Sequence, residues 1–129
     1  MSRSVARVVA FIPDLLFGSR VQAMLDSSGH AVELIGEADA VRGALTDVTV
    51  LVVDLTDERF RGIELVESLS TDGLLSEVCT LAFYAHVDVD VRQRAESAGI
   101  DLVVPRSRMA REGAELVSQL AAGKNDPTV

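Results

Sequence analysis

The side chains able to carry chemistry in this chain are few, and most of them are carboxylates. Asp54 directly follows the apolar run Val50–Val53. A carboxylate at the end of a buried strand must be paired, hydrogen-bonded or put to chemical use, because desolvating a lone charge is costly. Taken alone, that position has two readings: a cap for the following loop or helix, and a reactive acid. Asp14 follows a second apolar run, Tyr84 and Ala85 end a third, and Arg106 stands just beyond a fourth. His30 and His86 are the only histidines, and Cys79 is the only cysteine. A single cysteine forms no intramolecular disulfide, so nothing calls for an oxidising compartment. His86 lies beside Asp88 and Asp90. No second His or Cys stands near enough to complete a transition-metal site, and these acids read as the solvated start of a helix.

Five short apolar runs must position these groups: Ala6–Ile12, Ala31–Ile35, Val48–Val53, Val78–Phe83 and Leu102–Val104. The first and third are nearly continuous rather than alternating, as strands are when both faces of a parallel sheet are covered. Between the runs the spacing is helical. Phe17, Val21, Met24 and Leu25 form one stripe, with Asp14 placed as N-cap and Ser28-Gly29 as the stop. Ala38, Val41 and Leu45 predict a short second helix, and Leu65, Val66 and Leu69 a third. Val91, Ala95 and Ala98 predict a fourth, closed by Gly99; Gly113, Leu116, Val117 and Leu120 predict a last one, opened by Ser107. Strands alternating with helices imply an α/β fold with a doubly wound sheet and helices on both faces. Functional groups in such sheets collect outside the carboxyl ends of the strands. That selects Ile12 to Asp14, Asp54 to Thr56, Tyr84 to His86 and Pro105 to Ser107.

A length of 129 residues suits one domain, expected over residues 1–122, with 123–129 as a disordered tail. The hydrophobic share of 48% supplies a real core, and with only 4% aromatics that core is built from Val, Leu, Ile and Ala. A net charge of −8 disfavours nucleic acid and anionic membrane, both of which reward Lys and Arg. No run approaches the ~18 apolar residues of a membrane span. The segment Val5–Ile12 is too short for a secretory signal and carries Arg7, so a cytoplasmic location is expected. No Gly-x-Gly-x-x-Gly or P-loop occurs. Ile12-Pro-Asp-Leu-Leu-Phe-Gly18 offers an acid and bulky apolar groups where a flavin phosphate would sit.

Asp54 is followed by Gly62 within Asp54-Leu-Thr-Asp-Glu-Arg-Phe-Arg-Gly-Ile-Glu-Leu65. This segment resembles the phospho-acceptor strand, loop and Gly-led third helix of bacterial response-regulator receiver domains. Gly99-Ile-Asp-Leu-Val-Val-Pro-Arg106 resembles the Gly-Ala-Asp segment leading into the last receiver strand and its basic residue. The likeness covers about residues 5–122. It implies a five-stranded parallel sheet of flavodoxin-like order 2-1-3-4-5, with Asp54 at the phospho-acceptor position of a two-component signalling domain.

The resemblance also implies which companions a working receiver needs. Mg²⁺ is held by an acidic pair after the first strand, the acceptor Asp, and the backbone carbonyl two residues beyond it, here Thr56. Mg²⁺ wants hard oxygens in near-octahedral array. The acidic-pair positions hold Ile12 and Pro13, with Asp14 one place further. Ile12 offers no side-chain ligand, Pro13 restricts the backbone, and Asp14 reads better as a helix cap. The receiver's fourth-strand Ser or Thr is Tyr84 here, with Ala85 the small residue after it. Tyr84 is expected to pack its ring and expose its hydroxyl. The basic position holds Arg106, between Pro105 and Ser107, and its fork is larger than the Lys of a receiver. An Asp54–Arg106 ion pair would satisfy both groups without phosphate. The aromatic switch position is Val103.

The expectation is a divergent pseudo-receiver that is not an enzyme, binds no cofactor and signals through protein–protein contact without Mg²⁺-dependent aspartyl phosphorylation. Two alternatives stand beside it: a functional phosphorelay receiver using Mg²⁺ and Asp54, and a small-ligand or enzymatic domain using the cleft around Asp54, Tyr84 and Arg106. Arg92, Arg94, Arg106, Arg108 and Arg111 gather on the fourth helix, fifth strand and last helix. They form an expected face for a protein partner or homodimer, or else an ordinary solvated surface.

Overall fold

The computed structural model describes residues 5–85 and 88–124. The Val- and Ile-rich runs become strands because branched side chains pack well on a pleated, covered surface. They are β1 (Arg7–Phe11), β2 (Ala31–Ile35), β3 (Val50–Asp54), β4 (Cys79–Tyr84) and β5 (Leu102–Pro105). All pair in parallel, in the order β2-β1-β3-β4-β5. The helices are α1 (Leu15–Ser27), α2 (Ala38–Val41), α3 (Gly62–Thr71), α4 (Val89–Ser97) and α5 (Arg106–Lys124). The α/β class, the doubly wound parallel sheet and its 2-1-3-4-5 order are as the sequence implied.

The strands divide the core by alternation. Val9, Phe11, Leu51, Val53, Ala82 and Tyr84 face the layer that includes Val41, Val66, Leu69 and Ala95. Val8, Ala10, Val50, Val52, Leu81 and Phe83 face Phe17, Val21 and Leu25 of α1 and Leu116 and Val117 of α5. Every residue of β3 is buried, the acid at its end included. Each fully buried Val, Leu or Phe contributes about 1.5–3 kcal/mol, which is what holds a charge-bearing strand in the middle of the sheet.

Helix ends follow the local chemistry. Asp14 caps α1, its Oδ1 accepting the Phe17 N–H at 3.1 Å. The helix ends at Gly29, whose φ of +90° lets the His30 N–H return to the Leu25 carbonyl. Gly99, at φ +97°, closes α4 in the same way, with the Ile100 N–H on the Ala95 carbonyl. Two expectations are corrected. The second helix stops at Val41 and passes into a tight turn over Arg42–Ala44, so Leu45 lies beyond it, packed at the margin of the core. The last helix opens at Arg106 rather than behind a Ser107 cap, because β5 runs to Pro105 and leaves no residue between strand and helix. That helix also takes in Gly123 and Lys124 of the expected tail, while residues 125–129 lie outside the described residues. Among the described residues no helix is long and apolar enough to cross a membrane.

Candidate functional site

Asp54 ends the most buried strand and is itself only 1% exposed. Its neighbour Leu55 continues toward β4, donating its N–H to the Phe83 carbonyl at 2.8 Å. The chain then folds back so that Thr56 meets the carboxylate it has just left. The Thr56 N–H donates to Asp54 Oδ1 at 2.8 Å and the Thr56 hydroxyl to the same oxygen at 2.6 Å. A carboxylate capturing the N–H two residues on is the turn chemistry expected of Asp. Burial raises the Asp54 carboxyl above its ordinary value. The Thr56 hydroxyl, the Thr56 N–H and the Arg106 charge oppose that rise, and the Asp14 charge adds to it. Among the described residues both hydrogen bonds to the Asp54 carboxylate thus come from Thr56, and both fall on one oxygen.

The Asp54–Gly62 spacing has a steric cause. A Cβ at position 62 would collide with the Asp54 carbonyl oxygen and lie 3.0 Å from Leu55 Cδ2. The first turn of α3 therefore presses on the backbone of the acid itself, and only glycine fits. Arg61 makes the entry to that helix in the left-handed region, at φ +59°.

Asp14 and Arg106 come together across the edge, from the starts of α1 and α5. Arg106 Nη2 lies 3.9 Å from Asp14 Oδ2, and the guanidinium carbon sits 4.1 Å above the centre of the Phe17 ring. Phe17 in turn packs on Phe83, with ring centres 5.2 Å apart and planes tilted by 57°. Arg106 therefore pairs with Asp14 and stacks on Phe17 rather than forming the ion pair with Asp54 that the sequence left open. Opening α5 at Arg106 carries the guanidinium over the flat face of Phe17, which accepts a cation while leaving it hydrated. It reaches Asp54 only through space.

The remaining predicted positions are not gathered at this point. Ile12 is 1% exposed and buried in the apolar layer of α1 and α5. Pro13 is half-buried between Ile12 and the Asp14 cap. Tyr84 packs its ring in the opposite layer and is only 6% exposed. Ala85 follows β4 and accepts the Asp88 N–H at 2.8 Å. Asp88 caps α4 through the Val91 N–H, while His86 lies outside the described residues. Among the described residues no three His, Cys, Asp or Glu side chains are grouped to hold a metal ion. Of the oxygens a receiver would offer Mg²⁺, Asp14 Oδ1 accepts the Phe17 N–H, Asp14 Oδ2 faces Arg106 and Asp54 Oδ1 accepts from Thr56, while Ile12 offers no side-chain oxygen.

The five arginines of the expected partner face each have a carboxylate. Arg92 pairs with Glu96, Arg94 with Glu67 on α3, Arg106 with Asp14, and Arg108 and Arg111 with Glu112. The surface is a mixed-charge ladder rather than a bare basic patch. Two contributors to the edge escaped the sequence reading. The resemblance points to the Thr56 carbonyl, whereas the structure uses its hydroxyl, for which Asp-x-Thr is itself a turn signal. Phe17 falls on the apolar stripe of α1, and nothing in the local sequence announces a stacked guanidinium from a helix so far along the chain.

No family model matches the chain, and no curated protein matches it in sequence. Solved structures do. The Francisella response regulator 1452 receiver domain superposes with a TM-score of 0.77 at 14% identity, covering 93% of this chain and 99% of that one. A CheY-like receiver domain protein from Methanospirillum hungatei gives 0.79 at 15% identity, covering 93% and 96%. The receiver domain of NtrX from Brucella abortus gives 0.75 at 17%, covering 90% and 98%. The fold is that of a response-regulator receiver domain. Within the receiver fold, Asp54 occupies the end of the third strand, at the carboxyl edge, and Gly62 the start of the third helix.

Proposed function

We propose that this chain is a receiver-type signalling module that works by contact with another protein, without Mg²⁺-dependent phosphorylation of Asp54 and without catalytic turnover. The carrying observation is the state of the strand edge. Among the described residues its buried carboxylate accepts hydrogen bonds from Thr56 alone, while Asp14 and Arg106 are paired with each other. Phosphoryl transfer depends almost wholly on positioning and on neutralising charge, and here Ile12 supplies neither at the position where a metal-binding acid would stand. Incubation with a small acyl phosphate and Mg²⁺, followed by intact mass, tests this. The expected spectrum shows unmodified protein. A stable adduct of roughly 80 Da that disappears in Asp54→Asn would overturn the proposal in favour of a working phosphorelay receiver.

The partner surface we assign is the face of α4, β5 and α5. Its paired Arg and Glu side chains carry both signs, and a mixed-charge patch can meet a second copy of itself across a two-fold axis. A concentration series by sedimentation velocity is expected to show a dimer that Arg111→Glu weakens. Equal sedimentation of both proteins at all concentrations removes this face as a self-association surface.

A further inference from the structure

We propose that His30 is a proton-operated latch joining the amino-terminal edge of the sheet to α5. The tight turn at Gly29 delivers His30 to the base of the sheet, where it is 4% exposed. Its Nδ1 accepts the backbone N–H of Ala6 at 2.9 Å, and its Nε2 lies 3.0 Å from the Ser118 hydroxyl of α5. An N–H aimed at Nδ1 requires a lone pair there, so the ring is neutral and carries its proton on Nε2. Ala6 in turn accepts the Ala31 N–H at 2.9 Å, the first rung between the chain entering β1 and β2. One imidazole thus fastens three elements distant in sequence, at positions 6, 30 and 118.

A second proton has only Nδ1 to occupy, and the Ala6 N–H already points at that atom. Protonation places two donors face to face and leaves the N–H of Ala6, a residue 1% exposed, without an acceptor. Charge from outside does little to offset this. The charged side chains closest along the chain to the ring and its partners are Arg7, the first residue of β1, Asp26 near the end of α1, Glu33 on β2 and Glu115 on α5, and all four are exposed. Burial holds the imidazole below its ordinary value of 6.5, and the Ala114 backbone carbonyl opposes that only in part. Acidification therefore releases the start of β1 and the later half of α5, the helix whose first residue is Arg106 at the opposite edge.

Amide exchange on the full chain, corrected for the intrinsic pH dependence, tests the latch between pH 7.5 and pH 5.0. The amides of Ala6 and of residues 114–121 are expected to open about tenfold more as pH falls, with the β3 amides unchanged. Two results overturn the latch: no pH dependence at Ala6, or equal acceleration in β3, which marks global unfolding. His30→Asn keeps an acceptor for Ala6 but does not titrate, and it is expected to abolish the pH dependence. Should that variant fail to fold, the wild-type ring signals decide the matter, since only two histidines contribute. A His30 ring that titrates at or above 6.5 sinks the proposal.

Discussion

The two edges of this sheet treat buried polar groups in opposite ways. At the amino-terminal edge they are stapled across elements distant in sequence. His30 joins Ala6 to Ser118, and the Asp101 carboxylate takes both the N–H and the hydroxyl of Thr80, whose hydroxyl accepts the Asp101 N–H in return. At the carboxyl edge, among the described residues, the buried carboxylate accepts hydrogen bonds only from a residue two positions away. Cross-element hydrogen bonds define where strands and helices sit. A local one defines only a loop, and among the described residues no cation makes an ion pair with the Asp54 carboxylate. Side-chain chemistry therefore stabilises one edge, while the other is kept in place by backbone fit and carries a carboxyl shifted upward by burial.

The comparison is sharpened most by Gly62. Gly62→Val brings side-chain carbon against the Asp54 carbonyl oxygen and is expected to cost about 3 kcal/mol in urea unfolding. A cost as small as that of an ordinary surface change would show that α3 can step back and that backbone fit does not hold this edge. Next comes the staple at the other end. Asp101→Ala leaves the Thr80 N–H and hydroxyl without their acceptor and is expected to cost about 2 kcal/mol. If the loss is negligible, the claim that side-chain hydrogen bonds secure the amino-terminal edge fails.

A smaller effect of opposite sign is expected at Asp54. A carboxyl raised above 3.8 in the folded state favours folding most below that pH, and the advantage is lost as pH rises through its folded value. At neutral pH the ionised acid therefore opposes the fold. Asp54→Asn, which keeps an oxygen for Thr56, is expected to stabilise by about 1 kcal/mol at pH 7, with the gain shrinking as pH approaches 3.8. Thermal unfolding of both proteins at several pH values would reveal a loss instead if the charge were structurally required. The least effect belongs to Arg106. Its exposed pairing and its stacking on Phe17 predict a cost below about 1 kcal/mol for Arg106→Ala. A loss comparable with that of Asp101→Ala would mean that the carboxyl edge is stapled after all.

Most of the fold was legible in the residues. Near-continuous apolar runs announced a sheet covered on both faces, helical stripes alternated with them, and Gly29 and Gly99 marked stops that the backbone takes at positive φ. The miss at the second helix has a plain cause, since an apolar residue at helical spacing such as Leu45 packs equally well from the turn that follows. The miss at Ser107 has another. A capping residue acts only if the chain leaves it outside the helix, and the strand before it ran on to Pro105.

The candidate site divides along the same line. Asp54, its place at the end of a buried strand, and the glycine eight positions on are local patterns, and the sequence alone established them. Where each charge goes was decided by the tertiary structure. Arg106 chose Asp14 and Phe17 over Asp54, and His30 found Ala6 and Ser118, because α1 and α5 lie side by side on one face of the sheet. Local periodicity determines which elements form, since each is governed by neighbours a few positions away. Pairing among side chains up to 92 positions apart, as between Asp14 and Arg106, depends on how those elements pack, and only the assembled core contains that information.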